Sequence, residues 1–513
     1  MTHPAVRAGA ADAPGTQEEA GARAAPAEPG QGQSPWRLAR HLPVIVMIAA
    51  FATYYSAASI QSYEGYGQPA FDLGIFDQGL WLLSRFHAPF VTVMGRNLFG
   101  DHTSFILLPL VPLYWIDPDV RLLLAAQACA VAAAAIPVYL LALRRLGSAA
   151  LATLLAATLL LSPSLQNGLL EQFHPEALLT LTLALALYAA IESKWRLLAV
   201  ATVLSLLAKE DVAAYIVPLG LWVLLRRNRR WGAAMIAGAA AWTAFAYGVV
   251  IQQLLGAPGF YADRIPFGGI TGALSEPFRR PAAFFRYLGS DGRLFYLWQL
   301  ACSAGWVFAV GPEVGAIALL AVFENVVSND PYMHQIVFHY SMPLAPVVVI
   351  GTVWAIARLR RTWLRRAATA VAVVSALASS VLWGLAPWSR QVPTPAWNPN
   401  GSFARGASAL EARIPPDAAV SAWYPFVAHL DHRTQIYLWP TPFHAEYWGR
   451  FTQDGQRLPA AAAIRYVLLP DAYLSAGDRK VLASISHQFT PVASKGGVVL
   501  YERVGPGPPI HSP

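Results

Sequence analysis

The chain is poor in charge and in cysteine. Only 13% of its 513 residues are Asp, Glu, Lys or Arg, about half the share of an ordinary soluble domain. Its two cysteines, Cys129 and Cys302, lie far apart in apolar runs, so neither a disulfide framework nor a zinc site is indicated. There is no glycine-rich phosphate loop followed by Lys-Ser/Thr, no G-x-S-x-G and no HExxH, and soluble-nucleotide chemistry is not suggested. No solenoid repeat is visible, nor the half-to-half symmetry of many transporters.

What the chain does have is apolar length. It is 56% hydrophobic with a mean hydropathy of +0.41, and several runs reach the roughly 18–20 residues that cross a bilayer core. This is an integral membrane protein. The formal charge of +8 sits in short arginine clusters between apolar runs. Such clusters orient membrane proteins and stay in the cytoplasm, so a nucleic-acid partner is not expected.

Residues 1–35 are rich in Ala, Gly, Pro, Gln and Glu; they cannot bury a core and are expected to form a disordered cytoplasmic tail. The first span, 43–60, follows Arg37 and Arg40, which puts 61–102 outside. Segment 103–115, broken by Pro109 and Pro112, is too short to span and reads as a juxtamembrane helix. The next run, 122–143, ends on Arg144 and Arg145. From there the alternation is regular, with further cytoplasmic clusters at 194–196, 226–230 and 358–366. The total is about eleven spans within 36–386. One outer loop, 256–293, dissents by carrying Arg264, Arg279, Arg280, Arg286 and Arg293; it either binds an anion or marks a miscounted crossing. Beyond 387 short β-like runs at 418–422, 435–439, 465–469 and 497–503, with a helical stretch at 476–486, read as a small extracytoplasmic α/β domain.

This topology sends the isolated polar residues to one side: Asp72, Asp77, Asp101, His102, Glu171, His174, Glu176, Lys209, Glu210, Asp211, His334, His339 and Tyr340. Charges at or in apolar helices are expensive and are usually retained for function or mutual pairing. Each has a plainer reading. Asp72 stands where a helix N-cap would. Asp77, about 140° around the same helix, suits a solvated face. Asp101–His102 could cap the following helix, and His174-Pro175-Glu176 is a good helix start. Lys209–Glu210–Asp211 resists such a reading. A turn that only reverses the chain would use Gly, Asn or Pro. His334, His339 and Tyr340 are more often packing residues. No pair has clean metal-ligand spacing. The residues fix no cofactor, and a divalent cation is the one candidate they leave open.

The stretches FDLGIFDQGLWLL, GDHTSFILLPLVPLY, NGLLEQFHPEALL, AKEDVAAY and VSAWYPFVAHLDHRTQIYLWP resemble an uncharacterised family of predicted bacterial membrane proteins. That family is in turn similar to the GT-C membrane glycosyltransferases, which include protein mannosyltransferases and aminoarabinose transferases. The resemblance implies an all-α polytopic GT-C-like fold carrying the C-terminal α/β domain. By it, Asp72 takes the place of the catalytic acid, Asp101 and His102 that of the charged pair before the juxtamembrane helix, and Lys209 that of a basic residue ending a later span. Two departures stand out: Asp72 lacks an Asp-Glu pairing, and Thr103-Ser104 replaces a Pro-Pro.

The expected activity is therefore inverting sugar transfer from a polyprenyl-phosphate donor to a cell-envelope glycan, lipid or protein acceptor. Asp72 would be the general base. Lys209, with Arg279 or Arg280 or a divalent ion, would offset charge on the leaving phosphate. Asp77, Glu171, His174, Glu176, Glu210, Asp211, His334, His339 and Tyr340 would complete the substrate site. The alternative from another class is a non-catalytic transporter or lipid-handling protein in the same bacterial inner membrane.

Overall fold

Apolar runs bounded by arginines become helices because only a helix satisfies its own backbone hydrogen bonds in lipid. A computed structural model of the protein describes residues 39–68, 70–255, 264–391, 398–447 and 453–505. The chain divides into Met1–Leu42 and Pro43–Pro513; the tail at 1–35 lies outside the described residues.

Five described helices are long and apolar enough to cross a bilayer: Leu42–Glu64, Arg121–Leu146, Arg229–Leu255, His339–Arg358 and Thr362–Trp383. Ala149–Leu160 and Pro163–Glu171, bent by 46°, make a sixth if they count as one span. Pro175–Ile191, Trp195–Leu206 and Ala213–Arg226 are apolar but shorter. The count by length thus falls below the eleven runs read from the sequence. Part of the difference is the apolar region 294–327, which by hydropathy and its Gly311-Pro312 break counts as two of those eleven spans. It is cut into Arg293–Cys302, Val307–Val310, Pro312–Gly315 and Leu319–Val327. Gly305 at φ +61° and the Gly311-Pro312 step interrupt it, since glycine adopts left-handed backbone freely and proline starts a helix more readily than it continues one. Segment 103–115 folds into two short pieces, Phe105–Leu110 and Leu113–Ile116.

His339–Arg358 is enclosed on most sides, whereas Leu42–Glu64 and Thr362–Trp383 turn most of their residues outward. The enclosed helix is apolar all round, as a central element must be.

The two ends of the helices differ in kind. At one end Arg144 and Arg145 reach Glu192, just past Pro175–Ile191. Arg226 and Arg358 converge there on Glu313, and Arg227 lies 5.9 Å from the Trp354 ring. The opposite ends of those helices carry Glu176, Lys209–Asp211 and His339.

The C-terminal region adds a five-stranded mixed sheet. We number strands in chain order: β1 (Phe90–Val91) and β2 (Arg96–Asn97) form a small ribbon, and β3 (Val420–Ala422), β4 (Ile436–Leu438), β5 (Tyr466–Pro470), β6 (Phe489–Lys495) and β7 (Val498–Arg503) form the sheet in the order β4-β3-β5-β7-β6. β3 runs parallel to β4 and β5, and β7 pairs antiparallel with β5 and β6. A capping box at Ser475 and Asp478 starts the helix Ala476–Ile485, near the stretch read from the sequence. Strand β6 and the helix Ser402–Glu411 had no clear sequence signal. β6 is an edge strand whose ladder slips between Pro491 and Ala493, a place where proline is tolerated.

The sheet region is seated on the first loop. Gln78 Nε2 donates to Thr92 Oγ1 at 3.1 Å and to the Arg433 carbonyl at 3.0 Å. Thr92 Oγ1 donates to the Ile436 carbonyl at 2.6 Å, and the His429 ring stacks on Tyr63 with centroids 4.1 Å apart. Such buried, fully used polar contacts fix one arrangement of the two parts.

Candidate functional site

The loop after the first helix turns sharply before the helix Ile75–Ser84. Phe71 is extended, and Asp72 is held at φ +61°, ψ −72°. For a non-glycine residue this costs about 1–3 kcal/mol, and such strain is held only where the surroundings demand it. Asp72 is therefore not the N-cap its sequence position suggests; Gly74 occupies that position. The turn aims the carboxylate into a cavity of about 480 Å³.

The cavity wall comes from four helix ends. His174 and Pro175 open Pro175–Ile191, where Pro175 takes the first helical position and no side chain caps the helix. His174 Nε2 lies 3.1 Å from Asp72 Oδ2. His339, the first residue of the enclosed helix, stacks on His174 with ring centroids 3.7 Å apart. Glu171 accepts the His339 backbone N–H at 2.8 Å, and its Oε2 is 3.4 Å from His339 Nδ1. Lys209 Nζ bonds Glu176 Oε1 at 3.2 Å, lies 3.6 Å from Asp211 Oδ2 and sits over the Tyr340 ring at 5.4 Å. On the far side Arg96 pairs with Asp101 at 2.5 Å, and His102 Nδ1 meets Glu210 Oε1 at 2.7 Å.

Burial and charge oppose each other throughout. Burial alone would raise the Asp72 carboxyl, but the His174 charge beside it wins and lowers it. His174 is likewise disfavoured as a cation by burial; the carboxylates of Asp72, Glu171 and Glu176 push it up to about 9. Lys209 is held well above the usual lysine range despite burial, by Asp211 and Glu176. Buried ions persist only when paired in this way. Asp72 keeps a 31% exposed side chain facing the cavity, against 2% for His174. Of the two, the carboxylate is the group open to a substrate.

The structure gathers Asp72, Asp101, His102, Glu171, His174, Glu176, Lys209, His339 and Tyr340 around this one cavity. Glu210 backs it through His102 and the Thr103 backbone N–H, and with Asp211 it lines a neighbouring cavity of about 370 Å³. Asp77 does not join the group. It is buried and lines a separate cavity against the C-terminal region. His334 is buried elsewhere and lines neither of the two larger cavities. Arg279, which ends one short helix, and Arg280, which joins it to the next, were expected to face a phosphate; both are exposed and line neither cavity.

Arg264 comes from the same dissenting loop and does line the main cavity, 3.9 Å from Asp330. Its signal was present in the sequence, as an arginine on the wrong side of the alternation. Arg293 in that loop is also internal, donating to the Val326 carbonyl at 2.8 Å and to Ser328. Arg96, Asp330, Tyr424 and Leu438 also line the main cavity, and sequence reading missed them. Arg96 looks like any loop arginine, and Tyr424 and Leu438 arrive only through docking of the sheet region.

Asp72, Glu171, His174 and His339 present ligand atoms within 4.8 Å of one another. His174 Nε2 and His339 Nδ1 face Asp72 and Glu171, and His174 Nδ1 is buried without a hydrogen-bond partner. That donor set suits a divalent cation.

The fold is that of solved membrane proteins. The crystal structure of ArnT from Cupriavidus metallidurans bound to undecaprenyl phosphate aligns with a TM-score of 0.51 at 11% identity, covering 90% of this chain and 99% of that one. The apo form gives a TM-score of 0.50 at 12% identity, with the same coverage. The likeness identifies an ArnT-like GT-C architecture. No curated protein matches the sequence. A family match extends over residues 68–488 and takes in the strained Asp72 turn, the His174 and Lys209 helix ends and most of the sheet region. On that span the chain belongs to the family described as "Predicted membrane protein (DUF2079)".

Proposed function

We propose that the protein is an inverting membrane glycosyltransferase, moving a sugar from a polyprenyl-phosphate carrier to a cell-envelope acceptor on the extracytoplasmic face of the bacterial inner membrane. The observation that carries the reading is Asp72: a carboxylate on a strained turn, backed by His174, open to a cavity that also holds Lys209 and Arg264. Sidedness rests on the exposed arginines at the far helix ends, since positive flanks stay in the cytoplasm. The ArnT relative, which binds undecaprenyl phosphate, supports the choice of carrier.

In the proposed reaction the acceptor hydroxyl attacks the anomeric carbon as Asp72 takes its proton. The bond from that carbon to the phosphate oxygen breaks in the same displacement, and the polyprenyl phosphate leaves with the electron pair. His174 fixes the orientation of Asp72. Lys209 and Arg264 lower the cost of charge on the departing phosphate. A divalent cation held by Asp72, Glu171, His174 and His339 would supply Lewis-acid polarisation of the phosphate. Tyr424 and Leu438 would shape the acceptor side.

Purified protein incubated with polyprenyl-phosphate sugars and a cell-envelope extract as acceptor should release free polyprenyl phosphate, detected by mass spectrometry. Asp72→Asn, which keeps the size of the side chain, should slow release by roughly 10²–10⁴-fold, the scale of a lost general base, with its elution profile unchanged. Equal rates in the two proteins would remove Asp72 from the mechanism.

A further inference from the structure

A second cluster of metal-type ligands lies outside the proposed catalytic cavity, at the seam between the first loop and the sheet region. Asp77, on the helix Ile75–Ser84, faces Asp431 and His432, which follow the short helix Tyr424–His429. One ligand atom from each of the three lies within 4.8 Å of the others. His432 Nε2 is 3.1 Å from Asp77 Oδ2. Asp77 and Asp431 are 1% and 2% exposed. Asp77 Oδ2, Asp431 Oδ2 and His432 Nε2 all lack a hydrogen-bond partner. The other Asp77 oxygen is occupied, accepting a hydrogen bond from the Tyr114 hydroxyl. The Asp77–His432 pair and the buried, unpartnered Asp431 Oδ2 therefore converge, and a buried carboxylate oxygen left unmet costs several kcal/mol.

The geometry points to a divalent transition-metal site of the zinc or manganese class, held by Asp77, Asp431 and His432, which clasps the C-terminal region onto the helix that follows Asp72. Two carboxylate oxygens and one imidazole nitrogen form a borderline-hard donor set of the kind these ions take. A cation there joins residues 354 positions apart in sequence, and the clasp bears on the proposed catalytic turn. An added Cβ on Gly74 would stand 3.5 Å from Asp431 Oδ2, so the site lies directly against the turn that sets Asp72. His432 is the most exposed ligand, at 31%, and it opens onto a cavity of about 890 Å³ also lined by Asp119 and Arg121. That side leaves a coordination position for water.

The competing occupant is a proton shared by the two carboxylates. Burial, and then the charge of Asp77, drive Asp431 upward. A cation would relieve the same repulsion with both groups ionised.

The test uses the full-length protein, stripped with a chelator and then given Zn²⁺ or Mn²⁺ alone. Bound metal is counted by elemental mass spectrometry after desalting. His432→Gln and Asp431→Asn should each lose about one equivalent per chain relative to wild type. Asp72→Asn should keep that equivalent, which separates this site from the catalytic cavity. Zn²⁺ should also raise the thermal unfolding midpoint of wild type and of Asp72→Asn, and raise that of His432→Gln by clearly less than wild type, because only the cavity ligands at Asp72, Glu171, His174 and His339 remain to it. The partly exposed His432 makes its replacement the variant that keeps its fold. Metal content in His432→Gln equal to wild type, or an equal thermal shift in both, overturns the site and leaves the shared proton.

Discussion

The two ends of this helical bundle use the same ions to opposite effect. At the arginine end Arg144, Arg226 and Arg358 are 53%, 62% and 55% exposed, and they share two glutamates, Glu192 and Glu313. At the cavity end Lys209, Glu210 and His174 are 8%, 2% and 2% exposed, and Lys209 and His174 are each matched by more than one carboxylate. Exposed pairs are screened and loosely held, so they set orientation and contribute little to stability. Buried pairs are dear to assemble and dearer to break. Charge at the arginine end therefore tells which way the protein sits. Charge at the cavity end marks the cavity in which the proposed transfer would take place.

The largest expected effect comes from leaving a buried ion alone. Lys209→Met removes the cation bonded to Glu176 and near Asp211, and should destabilise the protein by about 3–5 kcal/mol, as for a broken buried pair. Denaturation in mixed detergent followed by tryptophan fluorescence measures it. The double variant Lys209→Met with Glu176→Gln should recover part of the loss, because the orphaned charge has gone. A Lys209→Met protein as stable as wild type would erase the contrast between the two ends.

A smaller effect, confined to the cavity end, is a response to pH. Glu411 accepts the Tyr66 hydroxyl at 2.7 Å while its Oε1 is buried without a partner. Burial pushes its carboxyl from 4.5 up to about 8, although Tyr66 and Arg433 pull the other way. The folded state thus holds a proton that the unfolded chain has released. Its contribution is fully present below about pH 4.5 and is lost as pH rises through 8. Wild type should lose thermal stability relative to Glu411→Gln over that window. Parallel profiles for the two proteins would mean that Glu411 reaches water.

Much of this was legible in the sequence because charge is rare in it. Lys209–Glu210–Asp211 stands out in an apolar run, and Glu171 to Glu176 interrupts another; where charge is so costly, its positions are few and informative. The arginine clusters were readable for the same reason. What could not be read depends on contacts between distant segments. Asp77 gave no sign of meeting Asp431 and His432, since helical spacing says only that it faces away from Asp72. Tyr424 enters the cavity because the sheet region docks on the first loop, through contacts such as those of Gln78 and Thr92 with the backbone near β4. The strain at Asp72 was invisible too, because an aspartate before an apolar helix reads as a cap. Where the span count drifted, the cause was local: Gly305 and the Gly311-Pro312 step cut into short pieces a stretch that hydropathy reads as two spans.

The smallest expected effect lies at the arginine end. Glu192 meets Arg145 at 2.8 Å and Arg144 at 3.2 Å, and at 12% exposure it is the best-shielded group there. Its arginine partners are 34% and 53% exposed, so they keep most of their hydration when the carboxylate goes. Glu192→Gln should then cost about 0–1 kcal/mol. The difference should shrink further as salt rises from roughly 0.01 to 1 M and the screening length falls from about 30 to 3 Å. Transfer by this variant should match wild type, in contrast to Asp72→Asn. A loss of several kcal/mol, insensitive to salt, would show that the pair is desolvated after all, and that the arginine end is built as tightly as the cavity it faces away from.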